Sequence, residues 1–332
     1  MMKVLQLAAA ISALALLAAI GAAPARAAID GHFERTLTVN GPVDLDVTTG
    51  SGNITIHSGD AGKVEIHATI HVGDNWRWSG NSDAQSRVQY IEQHPPIQQN
   101  GNSITIGQDE DRDLMRNISI SYDIVTPAQT HLHSATGSGN STVDGLAGPA
   151  DSTSGSGDVR LNEIGADVTA RTGSGEITIS GVKGELRASS GSGNIRADQV
   201  SGAIRAETGS GDIRLGQSGS GDVEVTTGSG TIEVNGVKGG LQIGTGSGNI
   251  TAQGTPTGDW RLHTGSGDLT VELPQQTSFE LYAHTSSGSI ESSFPITMTG
   301  TISTRELHGK VGNGGPTVEL RTSSGAIHIE SR

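Results

Sequence analysis

Acidic or amide side chains recur directly after a G-x-G triplet, among them Asp158, Asn194, Asp212, Asp222, Asn249 and Asp268. Oxygen ligands on glycine-rich turns are the chemistry of calcium sites. The spacing argues against that chemistry. Calcium-binding nonapeptide repeats read G-G-x-G-x-D, with a residue between glycine and aspartate. Here the two are adjacent, and the same slot also holds Glu176 and Thr231. The expected role is a side chain that fixes a turn by bonding to nearby backbone.

Histidine gives a second opening for metal chemistry. Of the eleven histidines, His67 and His71, and His131 and His133, are spaced to share one strand face. Neither pair has a third ligand nearby in sequence, as a zinc site requires. No metal and no cofactor is expected.

Arginine offers a third. Arg160, Arg196 and Arg214 occupy the outward slot of one strand of a repeating unit, and Arg187 and Arg205 the outward slot of the other. Stacked units would bring Arg196 to Arg214, and Arg187 to Arg205, at about 5 Å. Cations gathered this way in an acidic chain suit a recess for acidic glycans or phosphate groups. The alternative is a solvated face whose arginines pair with Glu207, Glu176 or Glu185. These five arginines form the candidate ligand-binding surface, and no catalytic residue stands out.

The elements that must carry them follow from a repeated phrase. TGSG or its SGSG variant begins at Thr136, Ser154, Thr172, Ser190, Thr208, Thr227, Thr245 and Thr264, at intervals of 18, 18, 18, 18, 19, 18 and 19 residues. A fixed period of this size marks one supersecondary unit stacked on copies of itself. Within 154–171, Val159 and Leu161 alternate with polar residues, a loop passes through Ile164, and Val168 and Ala170 alternate again. Period-two alternation of branched residues is strand chemistry.

Two five-residue strands cannot bury their apolar faces alone, so each coil must stack on the next. The expected fold is all-β: a β-solenoid (β-helix or β-roll) of two-strand coils, about eleven in number, with a narrow aliphatic core. Glycines at the second and fourth places of TGSG suit a corner needing φ > 0. An aromatic content of 3% fits an interior too narrow for rings.

Around the regular array, 136–284, the organisation is less uniform. Residues 1–27 combine Lys3, an apolar run from Val4 to Ile20, and Ala25-Arg26-Ala27, the pattern of a secretory signal peptide. Residues 28–135 hold the first coils and an insertion. Thr49-Gly50-Ser51-Gly52 already carries the phrase, and Ala84, Val88 and Ile91 have helical spacing before Pro95-Pro96. A short capping helix is expected there, beside Trp76 and Trp78 and an acidic loop at 109–113. Residues 285–332 degenerate to Thr285-Ser286-Ser287-Gly288 and Thr322-Ser323-Ser324-Gly325, the irregularity of a terminal cap.

Cleavage after Ala27 would remove Lys3 and Arg26 and shift the formal charge from −14 to −16. That balance argues against nucleic acid as a partner. There is no cysteine, hence no disulfide and no lipidated cysteine at the leader. Beyond the leader no apolar run is long enough to span a membrane. A periplasmic, cell-surface or extracellular location is expected.

The TGSGD-[IV] units, the lead-in Tyr122-Asp123-Ile124-Val125-Thr126-Pro127, and Leu307-His308-Gly309-Lys310 with Gly314-Gly315 resemble the bacterial DUF4097 family. The resemblance spans about 35 to 330. It implies an adhesin-like β-strand repeat protein and carries over no catalytic residues. Glycans or cell-surface and envelope components are the partners expected.

Polysaccharide-degrading β-helix enzymes are the principal rival, but they build a cleft from long loops, and the turns of 136–268 are short and nearly identical. An ice-binding face would need flat T-x-T arrays, which arginine and glutamate interrupt. A structural spacer or assembly element is the remaining alternative.

Overall fold

The computed structural model describes residues 30–73, 81–108, 113–298 and 303–332. The expected leader, Trp76 and Trp78, and 109–112 of the acidic loop lie outside them. The molecule is a β-solenoid in which each turn of the repeat contributes one strand to each of two parallel stacks. In the regular stretch the strands that precede the TGSG corner run Ala150–Ser154, Val168–Thr172 and Leu186–Ser190; those that follow it run Val159–Ile164, Ile177–Val182 and Ile195–Val200. They are called here the second and first arms.

Register is exact in residue type as well as position. Val159, Ile177, Ile195, Ile213, Ile232, Ile250, Leu269 and Ile327 stand above one another in the first arm. All are buried, and each such side chain contributes about 1.5–3 kcal/mol by leaving water.

The corner phrase acts through closeness of stacking. A Cβ on Gly157 would lie well inside 3.0 Å of the carbonyl oxygen of Gly139, and one on Gly155 would meet that of Gly137. The expectation that these glycines serve positive φ is corrected for the second place: none of Gly137, Gly155, Gly173 or Gly191 has it, and at the fourth place it arises only in later coils, as at Gly230, Gly248 and Gly267. Coil-on-coil backbone contact leaves no room for a side chain.

The Thr or Ser that opens the phrase completes the corner. The hydroxyl of Thr172 donates to the carbonyl of Gly157 at 2.8 Å and accepts the N–H of Gly175 at 3.1 Å. Ser154 and Thr208 repeat the donation to Gly139 and Gly193, each at 2.9 Å.

At both ends the coils do not stack in chain order. The first phrase-bearing coil, 43–59, lies between the coil 130–144 and the strands Ser103–Ile106 and Ile118–Pro127. The last coil, 317–331, lies between the coil 260–273 and the coil 279–292. Counted through the stack, the described residues form twelve rungs.

Antiparallel strands close the ends. At one, Asp30–Thr38 pairs with Lys63–Val72, which pairs with Ile118–Pro127. The helix Asn81–Gln93 covers this edge with Ala84, Val88 and Ile91 buried, and Glu92 accepts the N–H of His32 at 3.0 Å. At the other, Glu306–Val311 pairs antiparallel with Phe279–Ser287, and Ile296–Met298 pairs antiparallel with Glu306–Val311. Such partners keep unpaired strand edges from templating aggregation.

The core is not free of rings. Phe33 packs edge-on against Tyr122 at 6.4 Å, Phe279 against Phe294 at 5.5 Å, and Trp260 is fully buried. The aromatic pairs sit in the end coils. Trp260 follows the longer excursion 254–259, where the register shifts, and its indole N–H donates to the carbonyl of Gly239 at 3.0 Å.

Candidate functional site

The side chains singled out for calcium are backbone caps. Glu176 N–H donates to Asp158 Oδ1, Asp158 N–H to Asn140 Oδ1, and Asp212 N–H to Asn194 Oδ1, each at 2.9 Å. Asn249 and Asp268 take the N–H groups of Asp268 and Ala326. The bond from Glu176, with support from Arg160, holds the Asp158 carboxyl below its ordinary value despite partial burial. Asp222 belongs to the opposite corner: with Asp167 it caps the N–H of the next coil there, Gly240 and Glu185 respectively, at 2.8 Å.

Three of the four histidines singled out face single carboxylates: His67 lies 3.3 Å from Glu34, His71 2.8 Å from Asp30 and His131 3.5 Å from Asp44. Among the described residues no group of three or more His, Asp or Glu side chains is arranged to hold a metal ion.

The five arginines divide between two faces. Arg160, Arg196 and Arg214 project from the first arm, with Arg196 and Arg214 in register and Thr178 between Arg160 and Arg196. Arg187 and Arg205 project in register from the second arm. Each has a carboxylate: Arg160 with Asp158 at 2.9 Å, Arg187 with Glu185 at 2.7 Å, Arg196 with Asp198 at 3.2 Å, Arg205 with Glu207 and Glu224 at 2.6 and 2.5 Å, and Arg214 with Glu233 at 3.7 Å. Glu207, then Glu224, holds the Arg205 guanidinium above its ordinary pKa. All five arginines are exposed, so solvent screens each pair. Such pairs open readily to a ligand.

The second arm gathers its arginines around a depression. An open groove of about 580 Å³ is lined by Arg187, Arg205 and Arg261, by Glu185, Asp222, Glu224 and Asp259, and by Gln242. A second recess, about 480 Å³, adjoins it at Gln242 and Arg261 and extends to His263, Glu319 and Arg321. A third, about 330 Å³, continues from Arg321 to His284, Tyr282, Glu306 and His308. Tyr282 is exposed and stacks on His308 with ring centroids 4.0 Å apart. The series crosses eight strands, about 34 Å at roughly 4.8 Å per step.

Sequence reasoning missed the far half of this series. An unbroken 19-residue step would set Glu280 beside Arg261, whereas Arg261 neighbours Glu319, and Glu319 neighbours Tyr282. The inserted last coil supplies Glu319 and Arg321, and the spacing of the regular array gives no hint of it.

Two parallel stacks joined by short corners and closed at each end define a capped β-solenoid. The chain belongs to the Toastrack DUF4097 family, whose model matches residues 44–330. No curated protein matches it in sequence. Three solved structures are similar to it. A candidate cell adhesion protein from Clostridium sporogenes ATCC 15579 is 12% identical, with 91% of this chain and 100% of that one covered and a TM-score of 0.27. A candidate adhesin from Bacteroides fragilis NCTC 9343 is 13% identical over 90% of this chain and 96% of that one, with a TM-score of 0.25. A candidate adhesin from Parabacteroides distasonis ATCC 8503 is 10% identical over the same shares, with a TM-score of 0.29.

Proposed function

We propose that this protein is an exported, non-catalytic, adhesin-like interaction protein, working at the cell surface or in the periplasm, that holds glycan chains along the outer face of its second arm. The observation that carries this reading is the groove between Arg187 and Arg261. Rung by rung its ladder reads Arg187, Arg205, Glu224, Gln242 and Arg261, with the carboxylates of Glu185, Asp222 and Asp259 beside it, so guanidinium donors and carboxylate acceptors lie together along the groove. Hydroxyl groups donate and accept, so a polyhydroxylated chain can satisfy both partners of each exposed ion pair as it displaces them.

The groove is open at its sides and runs across strands, which suits an extended polymer better than a small enclosed ligand. In this reading Arg187 and Arg205 contact ligand, while Arg160, Arg196 and Arg214 on the opposite face do not. Solvent has free access to the groove, so nothing there excludes water from a reacting bond.

A glycan array with a parallel assay for sugar-chain cleavage tests the proposal. Retention without cleavage, lost in Arg187→Ser/Arg205→Ser and kept in Arg160→Ser/Arg196→Ser/Arg214→Ser, is expected. Cleavage products would make the protein an enzyme, and no retention of any glycan would leave it a spacer.

A further inference from the structure

Gly244 is a glycine without a packing reason. It sits inside the strand Ile232–Ser247, where glycine costs about 0.5–1 kcal/mol relative to alanine. A Cβ added there would meet nothing within 4 Å, and its φ is not positive. The corner glycines nearby, Gly228, Gly230, Gly246 and Gly248, all press against backbone of the coil beneath. Among the described residues three others also face open space: Gly50 at a corner, Gly62 in a turn and Gly101 at φ +62°. A mid-strand glycine with free space above it marks a place where something else approaches the backbone.

Its outward ladder reads Glu207, Thr226, Gly244, His263, Arg321, His284. Only Gly244 lacks a side chain, which leaves a notch about 9.6 Å wide between Thr226 and His263, two rungs of the sheet. The notch is the floor of the 480 Å³ recess, with Gln242, Arg261, Glu319 and Arg321 around it.

The walls are rich in donors. Arg261 reaches Asp259 at 3.2 Å and Glu319 at 3.8 Å, and Arg321 reaches Glu319, so both guanidinium groups keep most of their five N–H donors unused. The Gln242 amide, the Thr226 hydroxyl and the His263 ring have no side-chain hydrogen bond or ion pair. One carboxylate, Glu319, stands among them. The neighbouring groove differs, since there four carboxylates accompany three arginines.

We infer that the Gly244 notch is a subsite for a uronic acid unit of the bound glycan, its ring seated on the bare backbone of Gly244 and its carboxylate taken by Arg321 and Arg261. The inference rests on the glycan reading above and adds to it the charge of the ligand and the place where that charge is read. Planar guanidinium forks match carboxylates in pairs of parallel hydrogen bonds. Glu319, released from Arg321, keeps Arg261.

Calorimetric titration of the full chain tests this with oligomers of galacturonate, alginate and hyaluronan, each beside its carboxyl-reduced counterpart. The wild type should bind at least one acidic oligomer more tightly than the reduced form. Gly244→Val, which adds a strand-favouring side chain into open space, should keep or raise Tm and lose binding. Arg321→Gln should lower acidic binding by about tenfold or more, to the level of the reduced oligomer, whose own binding stays unchanged.

If Gly244→Val binds as the wild type does, or if acidic and reduced oligomers bind alike, the subsite is refuted while the broader glycan reading stands. If the wild type binds no acidic oligomer but retains neutral glycans, the subsite alone again falls. If it retains none of either, both fall together.

Discussion

The hydroxyl of Thr322 donates to the carbonyl of Gly267 at 3.0 Å, across 55 residues of chain. Thr285, which lies between them in sequence, donates instead to Gly325 at 2.9 Å. The corner bond that joins successive coils thus passes from 264–267 to 322–325 and only then back to 285–288. The end of the chain is a rung inside the stack.

Deletion of 316–332 should therefore do more than shorten the molecule. The coil 279–292 would lose its parallel partner on both arms, so hydrogen exchange in Phe279–Ser287 should accelerate towards that of an unfolded strand. Continued protection of that strand would mean that it docks directly on 260–273 or that its antiparallel partner Glu306–Val311 holds it unaided.

Two glycine substitutions should part company. Gly157→Ala pushes a methyl group into the carbonyl of Gly139 and should cost about 3 kcal/mol, at the upper end for overpacking. Gly244→Ala meets nothing and should be neutral or stabilise by about 0.5–1 kcal/mol. Urea unfolding of the two variants measures both.

Thr172→Val keeps shape and removes the hydroxyl, leaving the carbonyl of Gly157 and the N–H of Gly175 without that partner. A loss of about 1–3 kcal/mol is expected. Thr172→Ser should be close to wild type, since Ser154 and Ser190 fill the same place.

Asp158 gives a pH dependence with a definite sign. Its carboxyl is held below the usual carboxylate range, first by the Glu176 N–H and then by Arg160. The folded state thus binds the proton more weakly than the unfolded state. The stabilisation is complete above the unfolded value and lost as pH falls through the lowered folded one. Asp158→Asn keeps an acceptor, as Asn140 and Asn194 do, and should flatten the fall in the urea midpoint as pH drops below the usual carboxylate range.

The repeat unit, the two arms and the aliphatic ladder were legible in the sequence because apolar alternation and an 18-residue period leave few other ways to bury Val159, Leu161, Val168 and Ala170. The helix was legible from Ala84, Val88 and Ile91. The order of the end coils was not: every corner offers the same hydroxyl and the same carbonyl, so Thr322 fits above Gly267 as well as Thr285 would. The site was half legible for the same reason. Arg187 and Arg205 lie within the regular array, but Arg321 reaches the groove only through the inserted coil, and the spacing of Gly244 looks like that of any outward residue.

Hydrogen-exchange footprinting with a bound acidic oligomer tests the central claim most directly. Protection should rise in Leu186–Ser190, in 241–247, in 260–266 and in Thr317–Ser324, and stay unchanged in Val159–Ile164 and Ile195–Val200. Protection confined to the first arm, or absent from both, would contradict a glycan-binding second arm.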